Sequence, residues 1–274
     1  MRFASVSHAG SPLLVRIEGD AATPLAGATE LGRETSSAWL AAAEPAGDPL
    51  PLGELHLRPL VPRPSKVICV GLNYVAHIEE TKRQTSDYPV LFPKFASSLA
   101  GARDPLPLPP ESEAVDFEGE LAVVIGTAAR RVERARALAH VAGLAVANDV
   151  TMRDYQYKTH QWMQGKAWDA VTPLGPEFVT LDEIGDGGGL TLRTTLNGEV
   201  VQETSTDLMI FDIPTLVSTI SVFTTLEPGD VILTGTPSGV GFRRDPPLLL
   251  RDGDVLVTEV DGLGRLENRM VAEA

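Results

Sequence analysis

The chain has 274 residues, of which 43% are hydrophobic and 22% are charged, which is the composition of a globular protein. Its formal net charge is −14, and so acidic a surface repels phosphate backbones and anionic lipid, which argues against nucleic-acid and membrane binding. An anionic substrate would also be repelled, unless its site holds a cation or basic side chains.

The N-terminus and the single cysteine bear on the compartment. The opening stretch MRFASVSHAG lacks the apolar core of a secretory signal. No apolar run approaches the roughly 18–20 residues that span a bilayer. Cys69 lies in an apolar run and cannot form an intrachain disulfide, so it is predicted to be a small buried hydrophobic residue. We therefore expect a cytoplasmic protein.

Residues 1–64 predict a small β-rich N-terminal domain that ends in a proline-rich linker. Its predicted elements are strands at 2–6 and 13–17 and a short helix at 35–43 with Thr35 as N-cap. Prolines then become frequent up to Pro64, and proline removes backbone donors and disfavours helix in the residue before it. A second, catalytic domain is expected over residues 65–274.

Strands dominate the elements predicted beyond residue 64, and helices are short and scattered. Predicted strands cover 67–70, 90–95, 120–125, 144–147, 190–196, 199–202, 230–234, 255–260 and 265–270, and predicted helices cover 73–81, 132–141 and 214–223. Asn197 and Gly198 suit the two positive-φ positions of a type I′ turn, which predicts a hairpin. The fold class expected is mainly β with α.

Three carboxylates are candidate metal ligands. Glu118 and Glu120 are two residues apart on a predicted strand, so they point to the same face and repel unless a cation or proton intervenes. Asp149 follows an apolar strand, where a rigid sheet can present a ligand to a cleft. Oxygen ligands favour a hard ion, namely Mg²⁺, Mn²⁺ or Ca²⁺. A solvated acidic strand face is the alternative interpretation.

His77 and Glu80 form a candidate acid–base pair. They lie three residues apart on a predicted helix, so their side chains are neighbours. A carboxylate that accepts a proton from one imidazole nitrogen leaves the other nitrogen free as a base near neutral pH. A surface histidine beside a surface glutamate is the simpler alternative.

Lys166 and Thr236 are further candidates. Lys166 lies among aromatic and small residues, and partial burial would aim its ammonium at a carboxylate or a developing oxyanion, although a loop lysine can simply reach solvent. The glycine-rich segment 233–241 lets backbone approach a ligand, and Thr236 offers a hydroxyl, although such segments are usually turns. The segment lacks the spacing of a phosphate-binding loop, so no nucleotide is predicted.

In this order, the motifs resemble the fumarylacetoacetate hydrolase family over residues 64–271. The matching strings are Val70–His77, Phe92–Lys94, Asp116–Leu121, Asn148–Asp154, Gly165–Lys166, Pro173–Pro176, Asn197–Gly198, Met209–Phe211 and Thr234–Gly239. The resemblance implies a mixed β-sandwich roll with short peripheral helices, usually as a homodimer. Gly119 and Met152 depart from residues common in relatives, and neither is a carried-over ligand.

The resemblance also implies roles for ten residues and one divalent cation per subunit, Mg²⁺ or Mn²⁺ with Ca²⁺ as an alternative. The metal ligands would be Glu118, Glu120 and Asp149, the catalytic residues His77, Glu80 and Lys166, and the substrate-binding residues Lys94, Arg153, Gln156 and Thr236. The substrate would be a small anionic oxo acid.

The reaction expected first is hydrolytic C–C cleavage of a β-diketo acid, of the acylpyruvate or fumarylpyruvate type. His77, oriented by Glu80, would deprotonate water, and Lys166 would help the metal to stabilise the enolate that is expelled. Decarboxylation of oxaloacetate or a related oxo-diacid is the alternative, although it needs no water-activating base. Diketo sugar acid hydrolysis, oxo-acid isomerisation or hydration, and non-catalytic metal binding rank lower.

Overall fold

A computed structural model describes residues 1–273. The strands are β1 Arg2–His8, β2 Ser11–Glu18, β3 Ala21–Pro24, β4 Leu50–Pro51, β5 His56–Leu57, β6 Val67–Gly71, β7 Val90–Lys94, β8 Leu99–Ala100, β9 Leu106–Leu108, β10 Val115–Asp116, β11 Gly119–Ile125, β12 Val141–Asn148, β13 Thr151–Met152, β14 Thr172–Thr180, β15 Thr191–Leu196, β16 Glu199–Ser205, β17 Val231–Leu233, β18 Val255–Val260 and β19 Gly264–Ala272. The α-helices are α1 Ser37–Ala42, α2 Val75–Thr81, α3 Arg153–Gln156, α4 Met163–Lys166, α5 Leu181–Ile184 and α6 Ile213–Phe223. Short 3₁₀ helices cover Leu52–Glu54, Ala96–Ser98, Arg134–His140, Thr206–Leu208 and Gly241–Arg243.

Two mixed sheets form the body of the fold. The larger follows the order β4-β3-β2-β1-β14-β12-β11-β17-β6-β7, and the smaller follows β16-β15-β18-β19-β9. Strand β12 of the larger sheet contacts β18 and β19 of the smaller, so the two sheets pack against each other. This sheet-rich arrangement with short helices confirms the predicted fold class.

The central strands β11 and β12 position the acidic residues. Every residue of both strands is buried. Their long apolar runs are typical of strands that are covered on both faces of the sheet. In the antiparallel register Gly119 lies opposite Asn148. The Asp149 amide donates to the Glu118 carbonyl at 2.8 Å, and the Glu118 amide donates to the Asn148 side chain at 3.0 Å. The register therefore brings three carboxylates to one end of the strand pair.

The first 64 residues extend the larger sheet. Strand β1 pairs with β14, with Arg2 opposite Val179 and Phe3 opposite Phe178. The rings of Phe3 and Phe178 stack with their centroids 5.3 Å apart. The division of the chain into two domains at residue 64 stays a prediction.

Several elements differ from the predicted ones, among them the N-cap of α1, the segment 132–141 and strand β14. Helix α1 takes Ser36 as its N-cap, which accepts from the Trp39 amide, whereas the Thr35 hydroxyl bonds to Gly32, so the predicted cap is wrong. The segment 132–141 forms a 3₁₀ helix over Arg134–His140 instead of an α-helix. Strand β14 was not predicted, because Pro173 and Pro176 argue against a strand interior.

The predicted hairpin agrees with the structure. Asn197 and Gly198 have φ values of 52° and 86°, so the turn between β15 and β16 is confirmed. Within residues 1–273, none of the helices is both long and apolar enough to cross a membrane. Cys69 is fully buried in β6, as predicted.

Candidate active site

The three predicted metal ligands lie together. Glu118, Glu120 and Asp149 each offer a carboxylate oxygen, and these oxygens lie within 4.8 Å of one another. Their exposed fractions are 5%, 1% and 0%. Burial and the charges of Asp149 and Glu118 raise the pKa of Glu120 well above its ordinary value. Three carboxylates so close and so dry need positive charge, and an all-oxygen donor set suits a hard divalent cation.

Two buried lysines contact this acidic triad. The Lys166 ammonium donates to Glu118 at 2.6 Å and to Asp149 at 2.8 Å, and the Lys94 ammonium donates to Asp149 at 2.5 Å. Burial alone would lower the pKa of Lys166, but Asp149 and Glu118 outweigh it and raise that pKa. Burial would likewise raise the pKa of Glu118, but Lys166 and Arg153 lower it to about 2. Lys166 and Glu118 therefore hold each other in the charged form.

Arg153 ties the triad to a neighbouring loop. Its guanidinium donates to Asp116 at 2.8 Å and to Gln156 at 2.9 Å, and lies 2.6 Å from a Glu118 oxygen. Asp116 also accepts from the amides of Gly241 and Phe242 at 2.8 and 3.1 Å. Asp116 had appeared in the sequence only as part of a matching string, and the structure makes it the anchor between Arg153 and the 3₁₀ turn at 241–243.

Gln202 is a buried connection that sequence reasoning missed. Its side-chain oxygen accepts from the Gly119 amide at 2.9 Å, and its amide nitrogen donates to the Thr236 hydroxyl at 2.9 Å. A Cβ at position 119 would lie 2.2 Å from the Thr194 hydroxyl, which explains why glycine separates the two glutamates. A polar residue on a hairpin strand carries no local signal of such a role.

His77 and Glu80 are paired as predicted. The Nδ1 atom of His77 lies 3.2 Å from one Glu80 oxygen, and the other Glu80 oxygen accepts from the Gly239 amide at 2.9 Å. If Nδ1 carries the proton toward Glu80, Nε2 is left as the acceptor. Glu80 therefore both orients the imidazole and joins helix α2 to the glycine-rich segment that carries Thr236.

One cleft collects most of the candidate residues. The side chains that line it surround a small space that is partly open to solvent. Six predicted residues line it: His77, Glu118, Arg153, Gln156, Lys166 and Thr236. Lys94, Glu80, Glu120 and Asp149 do not belong to this lining and reach it through the contacts described above.

An aromatic wall closes one side of the cleft. Trp162 packs edge-on against Phe92, with the ring centroids 5.5 Å apart. A Cβ at position 71 would lie 2.3 Å from the Trp162 ring, so glycine is needed where β6 meets that ring. The cleft therefore combines the Glu118 carboxylate, basic side chains and an apolar aromatic side.

The sequence and the fold of the chain are similar to those of known proteins. The model of the family described as fumarylacetoacetate (FAA) hydrolase, C-terminal, matches residues 66–271. A human mitochondrial protein named oxaloacetate tautomerase is 46% identical over 224 residues, which cover 81% of this chain and 71% of that protein.

Two solved structures resemble the chain over its whole length. A 5-carboxymethyl-2-hydroxymuconate delta-isomerase from Mycobacterium smegmatis is 36% identical with a TM-score of 0.85, and each chain is covered to 100%. A fumarylacetoacetate hydrolase from Exiguobacterium antarcticum is 35% identical with a TM-score of 0.87, again with 100% of both chains covered. The chain belongs to the fumarylacetoacetate hydrolase family of enzymes.

Proposed function

We propose that the chain is a metal-dependent enzyme that interconverts the keto and enol forms of a small 2-oxo dicarboxylate such as oxaloacetate. The observation that carries the proposal is one small cleft with a buried acidic triad beneath it, a Glu80-held imidazole and a buried lysine in its lining. The sequence motifs alone placed C–C hydrolysis first and oxo-acid isomerisation lower. The 46% identity to a protein named oxaloacetate tautomerase supports moving isomerisation to first place.

Glu118, Glu120 and Asp149 would hold the divalent cation, Mg²⁺ or Mn²⁺ with Ca²⁺ as an alternative. When bound, the cation supplies a Lewis acid that polarises the 2-oxo group and makes the neighbouring C–H bond more acidic. Lys94 holds one oxygen of Asp149 in place from the buried side, so the carboxylate keeps a fixed orientation.

His77 is the proposed base that removes a proton from the substrate. Because Nδ1 faces Glu80, Nε2 is the nitrogen that can accept a proton from carbon 3 of the substrate. The electron pair of that C–H bond forms the double bond between carbons 2 and 3, and the carbonyl π pair moves to the 2-oxo oxygen. The enolate oxygen takes a proton from water to give the enol, and protonated His77 returns its proton to the hydroxide left behind. The Lys166 ammonium lines the cleft and stabilises the negative charge that develops on the 2-oxo oxygen, while Gln156 and Thr236 offer hydrogen bonds to substrate oxygens.

Hydrolysis of a β-diketo acid is the second candidate, and the His77–Glu80 pair favours it. A separation of 3.2 Å between imidazole and carboxylate is also the arrangement that activates a water molecule. Decarboxylation of oxaloacetate would use the same enolate without needing that pair. All three reactions share the cation and Lys166, so only the product separates them.

A product assay tests the proposal. Purified protein with Mn²⁺ or Mg²⁺ is given oxaloacetate and an acylpyruvate, and the enol signal, CO₂ release and C–C cleavage are followed separately. We expect the keto–enol exchange of oxaloacetate to exceed the buffer rate, to stop with chelator, and to fall on the order of 10²–10⁴-fold in His77→Ala. Faster acylpyruvate cleavage than exchange would establish the hydrolase instead.

The assembly and the compartment also remain proposals. A homodimer is expected from the family resemblance, and its mass in solution can be measured by light scattering. The human relative is named as a mitochondrial protein, whereas the sequence analysis expects the cytoplasm for this chain. The substrate proposed is a small oxo acid in either case.

A further inference from the structure

We propose that Arg83 binds the second carboxylate of a dicarboxylate substrate and so makes the cleft selective for 2-oxo dicarboxylates. The inference rests on the proposed function, because it names the substrate class of the same cleft. It predicts a preference for dicarboxylates over an acylpyruvate with an apolar acyl group, because that acyl group would leave the guanidinium without a partner.

Arg83 is a positively charged residue of the cleft that, among the residues the structure describes, is not paired with a carboxylate. Three basic side chains, Arg83, Arg153 and Lys166, line the cleft. Arg153 is paired with Asp116 and Glu118 at 2.8 and 2.6 Å, and Lys166 with Glu118 and Asp149. Within residues 1–273, Arg83 forms no ion pair with a carboxylate. Its charge is therefore free to bind an anion that enters the cleft.

The end of helix α2 fixes where Arg83 leaves the helix. Lys82 adopts a left-handed conformation with φ of 53°, and the Arg83 amide donates back to the Ile78 carbonyl at 3.1 Å. This closure is the hydrogen-bond pattern that commonly ends α-helices. Arg83 therefore lies two residues beyond the end of the helix that contains His77, and its backbone is tied to that helix.

The Arg83 guanidinium lies over the ring of Trp162, which belongs to the aromatic side of the cleft. The central carbon of the Arg83 guanidinium lies 5.9 Å from the ring centroid of Trp162, which Phe92 and the glycine at position 71 hold in place. A guanidinium stacked on an aromatic face keeps its in-plane N–H donors for a carboxylate, which they can bind in a bidentate manner. The contact with Trp162 therefore places the Arg83 guanidinium beside the cleft without using the donors that recognition needs.

The charge of the whole protein makes such a group necessary. At a formal charge of −14, the surface repels a dianion more strongly than a monoanion. A cation held by Glu118, Glu120 and Asp149 would neutralise the end of the substrate that carries the 2-oxo group. The distal carboxylate needs a second positive charge, and Arg83 is the lining residue that can supply it.

The test compares two four-carbon acids that differ in the distal carboxylate, namely oxaloacetate and 2-oxobutyrate. Binding is measured with Mn²⁺ present, by intrinsic tryptophan fluorescence in rapid titrations, and KM and kcat are measured for oxaloacetate. The variants are Arg83→Gln, Arg83→Lys and, as a matched control, Lys82→Gln, which removes an adjacent positive charge that does not line the cleft.

We expect Arg83→Gln to raise the Kd and KM for oxaloacetate about tenfold, as for the loss of one charged hydrogen-bonded contact. Binding of 2-oxobutyrate and kcat should stay unchanged. Arg83→Lys should fall between wild type and Arg83→Gln, because an ammonium keeps the charge and loses the fork of donors. Lys82→Gln should behave as wild type.

Equal weakening of both acids in Arg83→Gln, or no weakening of either, would overturn the inference. So would a wild-type protein that binds 2-oxobutyrate as tightly as oxaloacetate. A protein that binds oxaloacetate through Arg83 and does not exchange its keto and enol forms would overturn the proposed function alone. The binding measurements therefore test the role of Arg83, and the turnover measurements test the proposed function independently.

Discussion

At the scale of single residues, Lys166 is the internal counter-charge of the acidic triad. Its ammonium contacts Glu118 and Asp149 inside a dry site, and removing one partner of a buried pair typically costs about 3–5 kcal/mol. We expect Lys166→Met to lower the unfolding temperature most strongly in chelator. Saturating Mn²⁺ should recover part of the loss, because the ion supplies positive charge to the same carboxylates.

The measurement is thermal unfolding of wild type and Lys166→Met, each with chelator and with Mn²⁺. Lys158→Met is the matched control, since that lysine is exposed and contacts the ring of Tyr155 rather than the triad. An equal loss of stability with and without Mn²⁺ would show that Lys166 does not share the charge of the site with the ion.

Gln202 should matter although it touches no ligand directly. Gln202→Leu leaves the buried Gly119 amide without its acceptor and frees the Thr236 hydroxyl, at a cost of about 1–3 kcal/mol in stability. Because Gly119 lies between two proposed ligands, the variant should also weaken Mn²⁺ binding. Urea unfolding and calorimetric Mn²⁺ titration measure the two effects.

The exposed Gln161→Leu provides the comparison for Gln202. A Gln202→Leu protein with wild-type Mn²⁺ affinity and lowered stability would reduce Gln202 to a packing role. The sequence could place the ten motif residues because their order matches a family, but an amide that bridges a strand and a loop from a hairpin has no such signature. Its partners lie 83 and 34 residues away in the chain.

At the scale of elements, burial decides how well the sequence predicts the strands. Strands β11 and β12 follow from apolar runs because both faces are covered, and the carboxylates at their ends stand out against those runs. Strand β14 holds Pro173 and Pro176, so local rules argue against it, and its pairing with β1, β8 and β12 outweighs them. The N-cap of α1 is Ser36, because the Thr35 hydroxyl accepts a hydrogen bond from the Gly32 amide instead.

Helix α6 allows a pH prediction at this scale. Asp212 caps the helix and accepts from the Thr215 amide at 2.9 Å. Burial works to raise the pKa of Asp212, but the hydrogen bonds from Thr215 and the ion pair with Arg134 lower it overall. A carboxyl whose pKa is lower in the folded state stabilises the protein above its unfolded pKa and loses that contribution as the pH falls.

We therefore expect Asp212→Ala to cost about 1 kcal/mol at neutral pH, the typical value of an N-cap. The gap to wild type should narrow below about pH 4, the ordinary pKa of an aspartate. Asp212→Asn, which keeps a cap, should cost less. Urea unfolding across pH measures these differences, and a gap that stays constant down to pH 3 would contradict the lowered pKa.

At the scale of the whole molecule, both sheets contribute residues to the site. The larger sheet supplies the strand that carries Glu120 and the strand that leads to Asp149, and the smaller sheet supplies Gln202 and Thr194, which fix Gly119 from the other side. The first 64 residues continue the larger sheet through β1 and contribute to both main hydrophobic clusters. The site thus depends on strands from most of the chain.

The molecular charge gives the last prediction. With a formal charge of −14, the protein repels an oxaloacetate dianion at long range, and salt screens that repulsion over a Debye length of about 10 Å at 0.1 M. Where binding limits the rate, kcat/KM for oxaloacetate should therefore rise with NaCl from low to moderate ionic strength. The rise should be steeper in Arg83→Gln, because that variant has lost the local attraction that opposes the overall field. A fall of kcat/KM with salt in wild type would mean that the cleft's own positive charge outweighs the charge of the rest of the molecule.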